Sequence, residues 1–219
     1  MYVIGSARVD ENGRYSGGAK GDQKQTSVPD YSGEVSLQKF YVHKKGWNII
    51  RLKSAQHADR IAVAMNTACN NNHIGYSQSD RYSIVKNGTA TNISTNSDCS
   101  SLVRECFKEA TGKDPGDFNT SSEVKVLQRT GLVDVLPYKS GDVLYTGDIL
   151  VTKTKGHTVI VVKGDSRKSQ PKQDGIWQVV DDVIKGKYGN GQTRKKKLAE
   201  AGYDYAEVQK KVNERLRGY

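Results

Sequence analysis

The sequence lacks the features that mark secreted and membrane-spanning proteins. It has three cysteines, Cys69, Cys99 and Cys106, and an odd number without a secretory signal argues against a disulfide framework. No apolar run approaches the roughly 20 residues that a membrane span requires. The segment Met1–Ser6 lacks the basic and apolar regions of a signal peptide. We therefore expect a chain that carries no export signal of its own and does not insert into a membrane.

Metal-ligand spacing is also missing, because no Cys-x-x-Cys pair or Cys/His ligand pattern occurs. We expect neither a metal nor a cofactor. Lysine and arginine number 34 against 24 acidic residues, which gives a net charge of +10. Such a charge favours a polyanionic partner, namely nucleic acid, an anionic membrane surface or a cell wall. The low aromatic content of 8% and the absence of a helix-turn-helix pattern argue against nucleic acid.

Hydrophobic periodicity predicts an α+β domain over residues 1–164. Residues 1–33 are rich in Gly, Ser, Asp and Lys, which indicates a loop with short extended pieces. Apolar positions at helical spacing predict three helices, at Ala55–Cys69, Cys99–Ala110 and Glu123–Thr130. Alternating or apolar runs predict two hairpins, one formed by Glu34–Tyr41 with Trp47–Leu52 and one formed by Gly147–Thr152 with His157–Val162.

The pattern changes after residue 164. Residues 165–174 are polar and include Pro171, which is typical of a linker. Residues 175–219 predict a small bundle of three helices, over Trp177–Lys185, over Thr193–Ala201 and from Asp204 onward. Asp204 and Glu207 have the spacing of a capping box.

Cys99 is the candidate nucleophile. Polar residues lead directly into an amphipathic helix, so Cys99 lies in the first turn, where the helix dipole and free backbone N–H groups favour a thiolate. Cys69 and Cys106 fall within helices and are interpreted as buried structural residues.

His157 is the candidate base for this thiol. It opens an apolar strand just after a hairpin loop, where its imidazole can reach a helix that starts on the same sheet. His57 and His73 lie near the ends of the first predicted helix and are interpreted as solvated or capping residues. His43 ends the first predicted strand and stays a candidate.

The stretches Asp98–Val103, Gly147–Leu150 and Gly156–Val161 resemble the signature of the papain-like peptidoglycan hydrolases of the NlpC and CHAP types. The resemblance implies a papain-like fold, with a helix packed on an antiparallel sheet. It implies that Cys99 is the nucleophile, that His157 is the base and that Tyr76 is a substrate-side or oxyanion-side group. Asp98 would orient the helix start or bind a substrate amine.

One position departs from that family. The polar residue that orients the histidine usually follows on the next strand, whereas this chain enters its linker after residue 164. We hypothesise that the N-terminal hairpin supplies this residue, as in a permuted sheet. The candidates are Glu34 and His43, although both are equally interpretable as exposed strand ends.

The C-terminal segment resembles the Cpl-seven-type wall-binding repeat, a three-helix module of phage lysins that binds muropeptide. The resemblance covers residues 176–216 and departs where Tyr188 replaces the usual tryptophan. It implies that the wall contacts are Asp181, Tyr188, Asn190, Gly191 and Arg194. Tyr188 is interpreted equally well as a core aromatic.

Together these resemblances imply a phage endolysin that hydrolyses an amide of the peptidoglycan stem peptide, as an N-acetylmuramoyl-L-alanine amidase or as an endopeptidase. It would wait in the host cytoplasm until a holin opens the membrane. The alternative is a non-catalytic protein that binds the cell wall or nucleic acid. The sequence indicates neither the bond that is cut nor the oligomeric state.

Overall fold

A computed structural model describes residues 1–24, 27–167 and 175–217. The chain forms two compact units that divide between Ser166 and Arg167. Most of the predicted linker, residues 168–174, lies outside the described residues. Within the described ranges, no helix is both long enough and apolar enough to span a membrane.

The first unit combines an antiparallel sheet with helices, as the α+β prediction requires. Its elements in chain order are β1 (Val3–Ala7), β2 (Val35–Lys39), β3 (Trp47–Leu52), α1 (Ala55–Cys69), β4 (Ile74–Tyr76), α2 (Ser83–Asn87), β5 (Thr95–Ser97), α3 (Cys99–Thr111), α4 (Glu123–Arg129), β6 (Val133–Pro137), β7 (Ile149–Thr152) and β8 (Thr158–Lys163). Six strands form one sheet in the order β2-β1-β8-β7-β3-β6, with every pair antiparallel. A separate parallel pair joins β4 to β5.

Apolar side chains cover both faces of the sheet, because successive residues of a strand point to opposite sides. On one face, Ile50 and Ile160 pack with α1 and α3 in the larger core cluster. On the other face, Ile49 and Trp47 pack in a second cluster. The helix that begins at Cys99 therefore lies on a fully buried layer, which fixes its position relative to the strands.

The predicted first hairpin is wrong. β2 pairs with β1 rather than with β3, and β3 pairs with β7 and β6. The missing partner is β1, a strand within the segment that the sequence predicts to be loop. The second predicted hairpin is confirmed, since β7 pairs with β8 through Leu150↔Val159 and Val151↔Thr158.

The helix predictions agree closely with the structure. α1 occupies the predicted residues, and its first turn is capped by Ser54, whose side chain accepts from the His57 N–H. α3 starts at Cys99 as predicted and ends one residue later than expected, at Thr111.

The second unit contains α5 (Ile176–Ile184), α6 (Gly191–Glu200) and α7 (Tyr205–Leu216) among its described residues. Their apolar faces meet in a third cluster that includes Val180, Leu198 and Val208, all of them fully buried. The predicted cap of α7 is confirmed, because the Asp204 side chain accepts from the Glu207 N–H at 2.8 Å.

Gly147 allows α1 to approach the turn before β7. An added Cβ would lie 2.1 Å from the Ala58 carbonyl oxygen, and the residue has a φ of +83°. Gly131 has a similar φ of +75° but no atom within 4 Å of the position that a Cβ would take.

We predict that Gly131→Ala lowers the free energy of unfolding by about 1 kcal/mol, while Gly147→Ala lowers it by about 2–3 kcal/mol more because of the clash. Urea unfolding of the two variants tests this, and equal midpoints would contradict it.

Candidate functional site

Cys99 is held at the first helical position of α3 by a capping box. The Asp98 side chain accepts from the Ser101 N–H at 2.7 Å, and the Ser101 hydroxyl accepts from the Asp98 N–H at 2.9 Å. These reciprocal bonds satisfy backbone donors that the helix start otherwise leaves unpaired. The half-buried Cys99 thiol is thereby fixed in orientation, with its sulfur 3.9 Å from Ser100 Oγ.

The sequence argument predicts a thiolate at this position, and here the structure differs. Desolvation by the surrounding protein, followed by the negative charges of Asp98 and Glu123, raises the pKa of Cys99 to about 12. The Ser100 hydroxyl and the Thr158 backbone N–H act in the opposite direction. Because burial and the charge of Asp98 outweigh the helix start, Cys99 is a neutral thiol at neutral pH in the free protein.

His157 directly precedes β8, and its imidazole contacts the N-terminal strand. Its Nε2 lies 3.2 Å from the Ser6 hydroxyl of β1. Burial lowers the pKa of His157 to about 4, with smaller contributions from His43 and Arg8. The imidazole is therefore neutral at pH 7. In the tautomer that carries its proton on Nε2, Nε2–H donates to Ser6 Oγ and Nδ1 can accept a proton.

The starts of α3 and β8 meet at the thiol. The backbone N–H of Thr158, the residue that follows His157, favours the charged form of the Cys99 sulfur and so lowers its pKa. The packing of α3 on β8 thus brings the chain segments of the predicted nucleophile and the predicted base together, but among the described residues no hydrogen bond joins the Cys99 sulfur to the His157 imidazole.

Tyr76 is close enough to Cys99 for the two groups to interact electrostatically. Its side chain is 2% exposed, and burial followed by the proximity of Cys99 raises its pKa. Its hydroxyl accepts from Gln78 Nε2 at 3.2 Å. Tyr15 packs edge-to-face on it at a centroid distance of 6.2 Å and is 60% exposed. The sequence analysis did not identify Tyr15, whose only signal is an aromatic residue in a glycine-rich loop.

The charge of Asp98 is already balanced within the site. Its Oδ2 lies 2.9 Å from Arg81 Nε, and its Oδ1 accepts from Ser101. Arg81 also donates to the Phe118 carbonyl at 2.6 Å. Since both carboxylate oxygens are engaged, the geometry favours the orienting role of Asp98 over the binding of a substrate amine.

Neither candidate for the histidine partner contacts His157 by a hydrogen bond among the described residues. The fully buried Glu34 carboxylate instead accepts from the backbone N–H groups of Tyr76 and Gln23, at 2.8 and 3.0 Å. His43 Nδ1 accepts from the Lys45 N–H, and its ring lies 5.3 Å from that of Trp47. The hydrogen-bond partner of the His157 imidazole is instead Ser6 of β1, which lies outside the predicted hairpin and for which the sequence offers no signal.

Glu123 is a further residue that the sequence analysis missed. It begins α4, is fully buried and accepts from the Thr158 hydroxyl at 2.7 Å. Burial raises its pKa to about 8.

The predicted wall-binding residues form two local groups in the second unit. Arg194 donates to Asn190 Oδ1 at 2.8 Å and to Gln209 Oε1 at 3.0 Å, beside Gly191 at the start of α6. Asp181 pairs with Arg215 at 3.2 Å. Tyr188 packs against the third cluster, which agrees with its interpretation as a core aromatic.

Trp177 is the aromatic of this unit that the sequence analysis overlooked. It is 45% exposed, and Lys211 Nζ and Arg215 Cζ lie over its ring at 4.9 and 5.7 Å. As for metals, no cluster of three or more His, Cys, Asp or Glu side chains within the described ranges could hold an ion.

The lowered pKa of His157 predicts a pH-dependent loss of stability. Between pH 6.5 and about 4 the unfolded chain binds a proton that the folded state excludes, so acidification favours unfolding. We expect wild type to lose up to about 3 kcal/mol more than His157→Gln over this interval. Urea unfolding at pH 7 and pH 4 measures the difference, since the carboxylates titrate in both proteins. Equal losses would contradict the assignment.

Comparison with known proteins assigns both parts of the chain. Residues 4–168 match the endolysin-like domain, and residues 178–216 match the CW_7 repeat. No curated protein and no solved structure matches the chain significantly. The two matches support a cell-wall lytic protein of the phage type whose C-terminal repeat binds the bacterial cell wall. The chain belongs to the endolysin-like domain family.

Proposed function

We propose that this protein is a peptidoglycan hydrolase of the papain-like type, with Cys99 as nucleophile and His157 as base. The observation that carries the proposal is the packing of α3, which begins at Cys99, against β8, which His157 directly precedes. The substrate bond is an amide of the stem peptide, cut as an N-acetylmuramoyl-L-alanine amidase or as an endopeptidase.

The reaction starts from a neutral Cys99 thiol and a neutral His157 imidazole. As the sulfur attacks the amide carbonyl, the thiol proton passes to Nδ1 of His157, so that no free thiolate is needed beforehand. Backbone N–H groups at the start of α3 hold the oxyanion. The imidazolium then protonates the leaving amine, and a thioester to Cys99 remains. His157 next takes a proton from water, which hydrolyses the thioester and releases the acid product and the thiol.

Ser6 is the positioning residue in this scheme. When Ser6 accepts a hydrogen bond from Nε2–H, it stabilises the tautomer whose Nδ1 can act as the base. Tyr76, whose pKa responds to the charge of Cys99, and the exposed Tyr15 that packs on Tyr76 form the proposed substrate side of the site.

The second unit would hold the enzyme on its substrate. Asp181, Tyr188, Asn190, Gly191 and Arg194 are the proposed muropeptide contacts, and the net charge of +10 favours retention on an anionic wall. In this proposal the protein is a bacteriophage endolysin, released from the host cytoplasm through a holin.

Replacement of the nucleophile tests the proposal directly. We expect Cys99→Ser to reduce the clearing of purified Gram-positive walls by at least about 10³-fold, since a hydroxyl is a much weaker nucleophile. Cys106→Ala is the matched control, because this fully buried cysteine lies two turns further along α3. Mass spectrometry of the released fragments identifies the amide that is cut. Clearing that survives in Cys99→Ser would refute the thiol mechanism and leave a protein that only binds walls or nucleic acid.

A second variant tests the tautomer assignment. We expect Ser6→Ala to lower kcat on the order of tenfold with little change in KM, because the imidazole loses its orienting partner. Ser36→Ala is the control, since Ser36 lies opposite Ser6 on β2 and is equally buried but bonds to Arg8. Equal kcat values for the two variants would remove Ser6 from the scheme.

A further inference from the structure

Glu123 is a buried carboxyl group that the reaction scheme above does not use. It is 0% exposed, and its Oε1 accepts the Thr158 hydroxyl at 2.7 Å. Its Oε2 is also buried and has no hydrogen-bond partner among the described residues. An unpaired oxygen of this kind is costly to bury as a charge.

Among the described residues, acidic groups interact with Glu123, and no cation offsets its charge. From the start of α3, Asp98 and Cys99 interact with its charge, and the Asp98 carboxylate is itself paired with Arg81. From β8, Thr158 supplies one hydroxyl, and His157, one residue earlier, is neutral. A negative Glu123 would thus lie beside the carboxylate of Asp98 and near the sulfur that must become negative.

We propose that Glu123 is a positioning residue that must keep its proton for Cys99 to act as a nucleophile. The inference rests on the proposed function, whose attacking atom is the Cys99 sulfur. The hydrogen bond from Thr158 to the Glu123 carboxyl group fixes the start of β8. It thereby also positions the Thr158 N–H, which lowers the pKa of Cys99, and the preceding residue, His157. In its neutral form it does so without adding charge to the site.

The proton balance of the reaction is unchanged by this role. The thiol proton passes to His157, while Glu123 holds its own proton throughout. Because burial raises the pKa of Glu123 to about 8, the group is neutral at pH 7 and ionises just above it. Ionisation then disfavours negative charge on the sulfur, so the reactivity of Cys99 increases less steeply with pH than that of an isolated thiol.

Alkylation of Cys99 by iodoacetamide tests this in the full chain without any wall substrate. Peptide mass spectrometry measures the rate at Cys99 for wild type, Glu123→Gln and the control Glu105→Gln. Glu105 is also a buried glutamate of the first unit, but its charge is paired with Lys108 at 2.8 Å. We expect Glu123→Gln to react about tenfold faster than wild type at pH 9, the effect of a pKa lower by one. At pH 7 the two rates should agree within about twofold, and Glu105→Gln should follow wild type at both values.

Superimposed rate profiles for wild type and Glu123→Gln would overturn the proposal. If Glu123→Gln does not fold, Thr158→Val replaces it. Loss of the hydroxyl donor raises the pKa of Glu123 further, so the ratio of the rate at pH 9 to that at pH 7 should exceed that of wild type, and an unchanged ratio would also overturn the proposal.

Wall clearing measured in parallel separates the two hypotheses. If wall lysis depends on Cys99 but wild type and Glu123→Gln have the same alkylation rates, the hydrolase function is supported and the proposed role of Glu123 is refuted. If the wild-type protein clears no walls but Glu123→Gln is alkylated faster than wild type, the coupling of Glu123 to the thiol is supported and the proposed hydrolase function is refuted.

Discussion

The antiparallel pairing of β1 with β8 is the constraint on which the first unit depends. β1 lies inside the sheet, with Ile4 opposite Val161 and Gly5 opposite Ile160. The two isoleucines and the valine are fully buried, and each contributes roughly 1.5–3 kcal/mol of hydrophobic stabilisation. The same pairing brings Ser6 to His157 and gives α3 a continuous surface to pack on. The sheet and the candidate site therefore form through one set of contacts.

Local sequence signals were enough for the elements that are long or sharply bounded. α1 and α3 have apolar positions at helical spacing and side-chain caps, and the β7–β8 hairpin has two apolar runs around a polar turn. β1 escaped prediction for a physical reason. A Cβ at Gly5 would lie 2.7 Å from Met65 Cγ, so the close approach of α1 requires a glycine, and a glycine weakens the strand pattern.

The residues of the candidate site likewise differ in whether a local sequence signal marks them. Cys99 and His157 were identifiable because each follows a local boundary, a helix start and a strand start. Ser6 and Glu123 were not, because their roles depend on neighbours far away in sequence. The helix dipole, a local effect, predicts a lowered pKa for the Cys99 thiol, whereas burial, which is a tertiary effect, raises that pKa.

The contact between Ser6 and His157 spans 151 positions of the chain, and this separation has a consequence for biosynthesis. Contacts between distant residues form slowly, because a long loop must close before they contribute any stability. In a chain that leaves the ribosome N-terminus first, β1 can pair with β2 early, but the edge of β1 that faces β8 stays unpaired until β8 has emerged. Every shorter nascent chain lacks the central strand of its sheet as well as the imidazole. The candidate site is thus assembled only when translation of the first unit is nearly complete.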